Sequence, residues 1–295
     1  MSDRLAAIRP ESILSVGATL GEGPVWVAED GALWFVDIKA PAVHRFDPSS
    51  GMHRYWSAPA QTGWVLPTEG GDFLAGLRTG VHRFDPASGI FTPHHDPEPH
   101  LPGNRLNDAT VDGAGRVWFS TMDDAEAAET GRVYRMDGAG CADSGAAPVS
   151  IANGPALSPD GSILYHVDTL GRAIWRSRVE EDGQLRDTRL FASMEEGAGY
   201  PDGPVVDAAG CLWVGLFGGW GVRRYDPSGA LMGVVRFPVA NVTKIAFGGD
   251  GLATAYATTA RKGLSEADLA AQPLAGNLFA FDPGVRGQPV PRVRI

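Results

Sequence analysis

Residues 199–207 read Gly-Tyr-Pro-Asp-Gly-Pro-Val-Val-Asp, and the polar-Gly-Pro signature inside this stretch recurs along the chain. Near copies of Asp202-Gly203-Pro204 occur at Glu22-Gly23-Pro24, Asn107-Asp108-Ala109 and Asn153-Gly154-Pro155. Each copy precedes a strand-like apolar run and then a turn that contains glycine, the residue that best tolerates a positive φ. The signature therefore indicates a β unit that the chain repeats.

The repeat extends over the chain at a regular spacing. Six reference positions, aligned on the turn glycine of each unit, lie 41, 44, 46, 49 and 41 residues apart. These positions are Pro24, Val65, Ala109, Pro155, Pro204 and Ile245. The third residue after the turn glycine is large and apolar in five of the six units, which suits a side chain between neighbouring sheets. Those third residues are Trp34, Leu74, Trp118, Leu164, Trp213 and, as the exception, Thr254.

This period predicts the fold class. Each unit contains about four strand-like runs, separated by turns rich in Gly and Asp-Pro. A period of roughly 40–50 residues with four strands is typical of a propeller blade. The six units therefore predict an all-β, six-bladed β-propeller with four antiparallel strands per blade. A pair of β-sandwiches would also contain many short strands, but it would not produce this self-similarity.

A single domain covering residues 1–295 accounts for all six units. The run Ser12–Leu20 precedes the first unit, so we expect it to complete the last blade and join the ends of the ring. Residues 1–11 lie outside the repeat and are expected to be flexible. The segment 261–276 departs from the pattern, and its run Ser265–Ala271 predicts a short helix that begins at a serine cap.

Composition and charge argue against several classes of function. The 295 residues include 35 acidic and 25 basic side chains, a net charge of −10, which disfavours a nucleic-acid partner. No run of about 18 apolar residues is present and Met1–Pro10 has no apolar core, so we expect no membrane span and a cytoplasmic location. Cys141 and Cys211 form no CxxC pair, so neither a disulfide framework nor a thiolate zinc site is indicated. We expect a monomer or a weak homo-oligomer.

The repeat also predicts a polar cluster at the central channel, because the first strand of every propeller blade lines that channel. The residues two positions before each reference position are Glu22, Gly63, Asn107, Asn153, Asp202 and Thr243. Four of these six carry a carboxylate or amide oxygen and none is a cation, an arrangement that is costly when buried unless a cation binds. Hard oxygen ligands suit Ca²⁺, Mg²⁺ or Mn²⁺, and such sites also accept Zn²⁺ or Fe²⁺. Glu22, Asn153 and Asp202 are the predicted metal ligands, with capping of the strand starts as the alternative role.

Five segments together resemble the motifs of the SMP-30/gluconolactonase family, which includes regucalcin and bacterial sugar-acid lactonases. The segments are Leu20–Pro24, Arg105–Asp108, Asn153–Asp160, Tyr200–Gly203 and Asn241–Lys244. The resemblance extends from about the first blade to the segment 258–264. It implies a six-bladed propeller with one divalent metal at the channel mouth and hydrolysis of aldonolactones such as glucono-, xylono- or arabinolactone.

The resemblance also implies roles for individual residues. Glu22, Asn153 and Asp202 match the family's metal ligands, and Arg105 and Asn107 match its substrate contacts. The family has an acidic substrate contact shortly after a Thr-Met pair, present here as Thr121-Met122, and we assign it to Asp124. Asp202 is also the candidate to orient or deprotonate the attacking water, although it could act as a ligand only.

The sequence is also compatible with other functions. A propeller can also be a non-catalytic calcium-binding regulator or a protein-interaction scaffold, because one fold supports many functions. The chain has neither a GxSxG elbow nor an HExxH motif, which disfavours a serine hydrolase or a zincin. The histidines at 94, 95 and 100 fall in a Pro-rich segment that we interpret as a solvated loop. Lys244 either points into the channel or has a structural role.

Overall fold

The computed structural model describes residues 2–295 and confirms the six-bladed β-propeller. The first twelve strands are β1 (Glu11–Leu14), β2 (Gly21–Val27), β3 (Ala32–Asp37), β4 (Ala42–Asp47), β5 (Met52–Ser57), β6 (Thr62–Pro67), β7 (Phe73–Leu77), β8 (Gly80–Asp85), β9 (Ile90–His95), β10 (Asn104–Val111), β11 (Val117–Asp123) and β12 (Val133–Asp137). The next twelve are β13 (Gly140–Asp143), β14 (Ala152–Leu157), β15 (Ile163–Asp168), β16 (Ala173–Val179), β17 (Leu185–Ser193), β18 (Tyr200–Val206), β19 (Leu212–Phe217), β20 (Gly221–Tyr225), β21 (Leu231–Arg236), β22 (Val242–Gly248), β23 (Thr254–Thr259) and β24 (Leu278–Phe281).

These strands form six antiparallel sheets of four strands, one per blade. Blades one to five are β2–β5, β6–β9, β10–β13, β14–β17 and β18–β21, each in chain order. The inner strands are β2, β6, β10, β14, β18 and β22, and each contacts the inner strands of the neighbouring blades. Because β22 also contacts β2, the ring of inner strands is closed.

Blade six is assembled from both ends of the described chain, as the sequence predicts. Its strand order is β1-β24-β23-β22, and Glu11 and Leu14 of β1 pair with Ala280 and Leu278 of β24. The strand is shorter than the predicted run. The stretch 1–11, expected to be flexible, contains a helix, α1 (Ser2–Ala7), because Leu5 is buried against the core of the last two blades.

Short helices lie outside the sheets. The predicted helix is α2 (Glu266–Ala271), whose N-cap Ser265 accepts a hydrogen bond from the backbone N–H of Asp268. Single turns of 3-10 helix occupy Ala28–Asp30 and Asp250–Leu252. Within residues 2–295, no helix has the length and apolar character required to cross a bilayer.

The repeated large residue fills the space between blades. Leu74, Leu164 and the three tryptophans at this position are buried, whereas Thr254 is only half-buried. The three indole Nε1 atoms each donate to an aspartate Oδ2 at 2.9 Å. The pairs are Trp34–Asp30, Trp118–Asp112 and Trp213–Asp207. Tryptophan therefore packs its apolar body in the core while its one polar group is satisfied.

A pairing irregularity in every inner strand positions the polar residues. In all six blades the register between the first and second strands shifts next to the reference position of the repeat. The shifts lie between Glu22/Val25, Thr62/Trp64, Leu106/Ala109, Asn153/Ala156, Pro201/Pro204 and Val242/Lys244. An extra residue in one strand bends it and redirects its side chains, so the polar residues can converge on the channel.

Candidate metal centre

A cavity of about 210 Å³ lies at the channel mouth where the inner strands begin. Its walls are formed by Leu20, Glu22, Arg105, Asn107, Met122, Glu126, Ile151, Asn153, Thr169, Leu170, Tyr200, Asp202, Phe217 and Lys262. Of the six predicted site residues, the structure brings all except Asp124 to this wall. They come from blades one, three, four and five, so only the closed ring can assemble them.

Two buried carboxylates dominate the floor of the cavity. Glu22 is 5% exposed and Asp202 is 6% exposed. No side chain in the described part of the molecule donates a hydrogen bond to either carboxylate, and Glu22 Oε2 accepts one only from the backbone of Gly23, at 2.9 Å. Burial raises the pKa of Asp202 to about 7, with repulsion from Asp108 adding to the effect. Burial and the charges of Asp202 and Asp108 likewise raise the pKa of Glu22 well above its ordinary value.

The third predicted ligand contributes an amide oxygen. Asn153 Nδ2 donates to Thr169 Oγ1 at 3.0 Å, which fixes the orientation of the amide. Its Oδ1 accepts from Asn107 Nδ2 at 3.0 Å and retains a second lone pair. No group of three or more His, Cys, Asp or Glu side chains suited to a metal occurs among residues 2–295, so a metal here requires the amide oxygen and water as well. Two under-satisfied carboxylates and an amide oxygen fit a hard divalent cation.

The capping alternative describes part of the same site. Glu22 Oε2 and Asp108 Oδ1 each accept a hydrogen bond from the next residue's backbone N–H. Those contacts are the local bonds that a capping role requires. Capping does not account for the raised pKa of Asp202, because that shift results from burial and from the charge of Asp108.

Arg105 is a buried cation in the cavity wall and is 3% exposed. Its Nε donates to Asp124 Oδ1 at 3.0 Å, and Nη1 donates to Asn107 Oδ1 at 2.7 Å and to Leu106 O at 3.2 Å. In the described part of the chain no acceptor pairs with Nη2. Burial lowers the pKa of Arg105 and Asp124 opposes that effect. The guanidinium is therefore held in place with one nitrogen free for a ligand.

Asn107 has a more structural position than the sequence suggests. Its Oδ1 accepts from Arg105, and its Nδ2 donates to Asn153 Oδ1 and to Ala152 O at 2.9 Å. The amide thus links the arginine to the predicted metal ligand. Asn107 lines the cavity but already has protein partners for both ends of its amide.

Asp124 lies behind Arg105 rather than at the cavity wall. Lys39 Nζ, Arg78 Nη1 and Gln61 Nε2 donate to its carboxylate at 2.7, 3.1 and 3.3 Å. Burial alone would raise the pKa of Asp124, but Lys39 and Arg105 lower it below its ordinary value. Asp124 therefore orients Arg105, and the acidic side chain that reaches the wall of the cavity near it is Glu126.

Glu126 and Lys262 were not identified from the sequence. Lys262 Nζ bonds to Glu126 Oε1, which joins the loop after β11 to the loop after β23 across the cavity mouth. Glu126 has a φ of 58°, a conformation that a non-glycine residue rarely adopts. The Asp123 carboxylate accepts from the backbone N–H groups of Ala125, Ala127 and Ala128 and so holds this loop. No sequence motif marks Glu126, whereas Lys262 falls within the segment 258–264 noted above.

The sequence and the fold are similar to those of known proteins. The family profile described as "SMP-30/Gluconolactonase/LRE-like region" matches residues 20–261. The chain is 34% identical over 271 residues to a 6-deoxy-6-sulfogluconolactonase of Pseudomonas putida, covering 92% of this chain and 93% of that one. It is 37% identical over 267 residues to an L-arabinolactonase of Azospirillum brasilense, covering 88% and 87%. The crystal structure of a calcium-binding protein, regucalcin, from Agrobacterium tumefaciens superposes with a TM-score of 0.92 at 27% identity, covering 98% of both chains.

Proposed function

Because this chain belongs to the SMP-30/gluconolactonase/LRE-like family, we propose that it is a lactonase that hydrolyses a sugar-acid lactone to the aldonic acid. Its relatives include proteins named for sulfogluconolactone and arabinolactone hydrolysis, which makes a carboxylic ester hydrolase the shared activity. The observation that carries the proposal is the pair of buried carboxylates, Glu22 and Asp202, which face the same cavity as the free nitrogen of buried Arg105.

A divalent cation belongs to this proposal, with Glu22, Asn153 and Asp202 as its ligands. When bound, such an ion supplies Lewis-acid polarisation of the lactone carbonyl. The ligand set is hard and mixed, so Ca²⁺, Zn²⁺, Mn²⁺ and Fe²⁺ all remain within the proposal. Similarity to a calcium-binding structure supports a divalent ion without selecting one.

The chain's own groups then have separate tasks. Asp202 orients the attacking water and is the group available to accept its proton. Arg105 Nη2 donates to a substrate oxygen and stabilises the carboxylate that ring opening creates. Glu126 accepts from a sugar hydroxyl, the task that the sequence assigned to Asp124. Asn107 keeps Arg105 and Asn153 in a fixed relation through its two amide ends.

The cavity limits the size of the substrate. At about 210 Å³ it is smaller than the roughly 300–1,000 Å³ typical of sites for drug-sized ligands. A single lactone ring with hydroxyl substituents suits this volume and its polar floor. Gluconolactone, xylonolactone and arabinolactone are the substrates we propose to test first.

The test is turnover of these three lactones, followed with a pH indicator that reports the released acid. The protein is first stripped with a chelator, and each candidate ion is then restored separately. We expect stripped protein to be inactive and one or more ions to restore hydrolysis, with Asp202→Ala inactive under every condition. Full activity of Asp202→Ala, or of protein shown by elemental analysis to be free of metal, would contradict the proposal.

A second candidate is a calcium-binding regulatory or protein-interaction propeller. The similarity to the regucalcin structure favours it as the alternative. A binding protein would take up Ca²⁺ without turning over any lactone of the panel, so the same assay separates the two functions. Calorimetric Ca²⁺ binding in the absence of turnover would support this alternative.

A further inference from the structure

A buried ion pair crosses the channel near the candidate metal centre. Lys244 Nζ on β22 lies 2.5 Å from Asp108 Oδ1 on β10. Asp108 is 1% exposed and Lys244 is 6% exposed. The two strands belong to blades six and three, which are opposite each other in a ring of six. Asp108 belongs to the segment Arg105–Asp108, but the sequence assigned it no role, and it left the role of Lys244 open.

Asp108 holds the backbone beside one proposed metal ligand. Its Oδ2 accepts from the backbone N–H of Gly154 at 3.1 Å, and its Oδ1 also accepts from Ala109 N at 2.8 Å. Gly154 directly follows Asn153 in β14. Both oxygens of Asp108 therefore have donors, whereas Glu22 has a donor on Oε2 alone among the described residues.

The aliphatic part of Lys244 lies against the backbone beside a second ligand. Gly203 follows Asp202, and a Cβ atom placed on Gly203 would come within 2.7 Å of Lys244 Cβ, Cγ and Cδ. Such a separation is well below a normal carbon contact, so the lysine stem fills the space above this glycine. One side chain thus touches the strand of Asp202 and, through Asp108, the strand of Asn153.

The ammonium also limits how many negative charges the site holds. Lys244 neutralises the charge of Asp108. The groups that donate hydrogen bonds to Asp108 also compete with any metal for its carboxylate oxygens. The candidate ligand set is thereby restricted to two carboxylates and one amide.

We propose that Lys244 and Asp108 are positioning residues for the metal centre, holding Asn153 and Asp202 in place and keeping Asp108 out of the coordination shell. This inference rests on the metal site of the proposed function. Groups that hold metal ligands in place typically change metal affinity or activity about 10–100-fold when they are mutated.

The test measures metal affinity directly in the full chain, by competition with a chromophoric chelator for Ca²⁺, Mn²⁺ and Zn²⁺. We expect Lys244→Met to weaken binding of the ion that wild type prefers by about 10–100-fold. The matched control is Arg224→Met, because Arg224 and Asp207 form an equally buried ion pair, at 2.6 Å, in blade five. The control should lose stability and keep the wild-type metal affinity.

A second variant distinguishes misfolding from a loss of the positioning of the metal ligands. If Lys244→Met fails to fold, or binds the ion more tightly because the freed Asp108 carboxylate joins it, the double variant Asp108→Asn/Lys244→Met removes both buried charges and is measured instead, with the same weakening expected. Metal affinity equal to wild type in the folded variant would overturn the positioning role and leave the proposed function intact. Absence of divalent-cation binding by wild type would overturn both this inference and the metal dependence of the proposed function.

Discussion

Asp202 illustrates at the scale of one residue how function can conflict with stability. Without a cation, a carboxylate at 6% exposure beside Asp108 and Glu22 is unfavourable, and burial raises its pKa to about 7. We predict that Asp202→Asn, which preserves size and removes the charge, abolishes metal-dependent turnover yet stabilises the metal-free fold by roughly 1–3 kcal/mol. Urea unfolding in the presence of a chelator measures this. A metal-free variant less stable than metal-free wild type would refute the prediction.

Glu126 and Asp124 are the two candidates for the proposed acidic contact to the substrate. Glu126 faces the cavity, whereas Asp124 is surrounded by Lys39, Arg78 and Arg105. We predict that Glu126→Gln raises the KM for lactone about tenfold, which is the effect of losing one charge-assisted hydrogen bond, with metal affinity unchanged. Asp124→Asn should instead lower kcat/KM by loosening Arg105. Equal KM values for wild type and Glu126→Gln would return the contact to Asp124.

His166 makes the stability of the fold depend on pH. Its Nδ1 is buried without a partner among the described residues, and burial lowers its pKa to about 4. Between the unfolded value of about 6.5 and about 4, the unfolded chain binds a proton that the folded protein does not, so stability falls as the pH falls. Above pH 6.5 this contribution is absent.

Wild type loses free energy of unfolding between pH 7 and pH 4.5, and we predict that this loss is about 2 kcal/mol smaller in His166→Leu. Urea titrations at the two pH values measure it, and substitution of the exposed His100 by leucine is the matched control. The same pH dependence in wild type and His166→Leu would show that other groups cause the acid sensitivity.

At the scale of elements, the sequence predicts the positions of residues on the repeated inner strands but not those of residues on individual loops. The six-fold repeat placed Glu22, Asn153 and Asp202 at one channel end, because the inner strand of each of their blades has the same register shift. Glu126 escaped prediction because its direction depends on a positive φ in a loop with no counterpart in the other blades. Likewise, only the three-dimensional structure shows that Asp124 points toward Lys39 and Arg78.

Strand β1 gives the clearest prediction about an element. It covers the edge of β24, and an uncovered edge strand invites pairing with another chain. We predict that deleting residues 1–14 causes self-association and greater loss of stability than deleting residues 1–8, which removes α1 and leaves β1 in place. Size-exclusion chromatography and urea unfolding compare the two. Indistinguishable behaviour of the two deletions would show that β1 is dispensable for closing the ring.

At the scale of the whole molecule, the candidate site and the integrity of the ring depend on each other. The proposed ligands come from blades one, four and five, and the ion pair beneath them joins blades three and six. At the other channel end, the C-terminal segment also spans several blades. Gly287 N donates to Leu252 O, Val293 N to Pro67 O and Arg294 N to Gly115 O, all at 2.9 Å. Blades are thus tied to each other at both ends of the channel.

An ion bound by three separate blades should therefore stabilise the entire ring. An ion at 100 times its dissociation constant adds about 2.7 kcal/mol to the free energy of unfolding. The entropy of unfolding is about 2.1 cal/mol/K per residue, or roughly 0.6 kcal/mol/K for 295 residues, so we predict that chelation lowers Tm by about 4 °C. Differential scanning calorimetry with and without each ion measures the shift, and Asp202→Asn should show none. An unchanged wild-type Tm for every ion, at concentrations that support turnover, would mean that the ion does not link the blades.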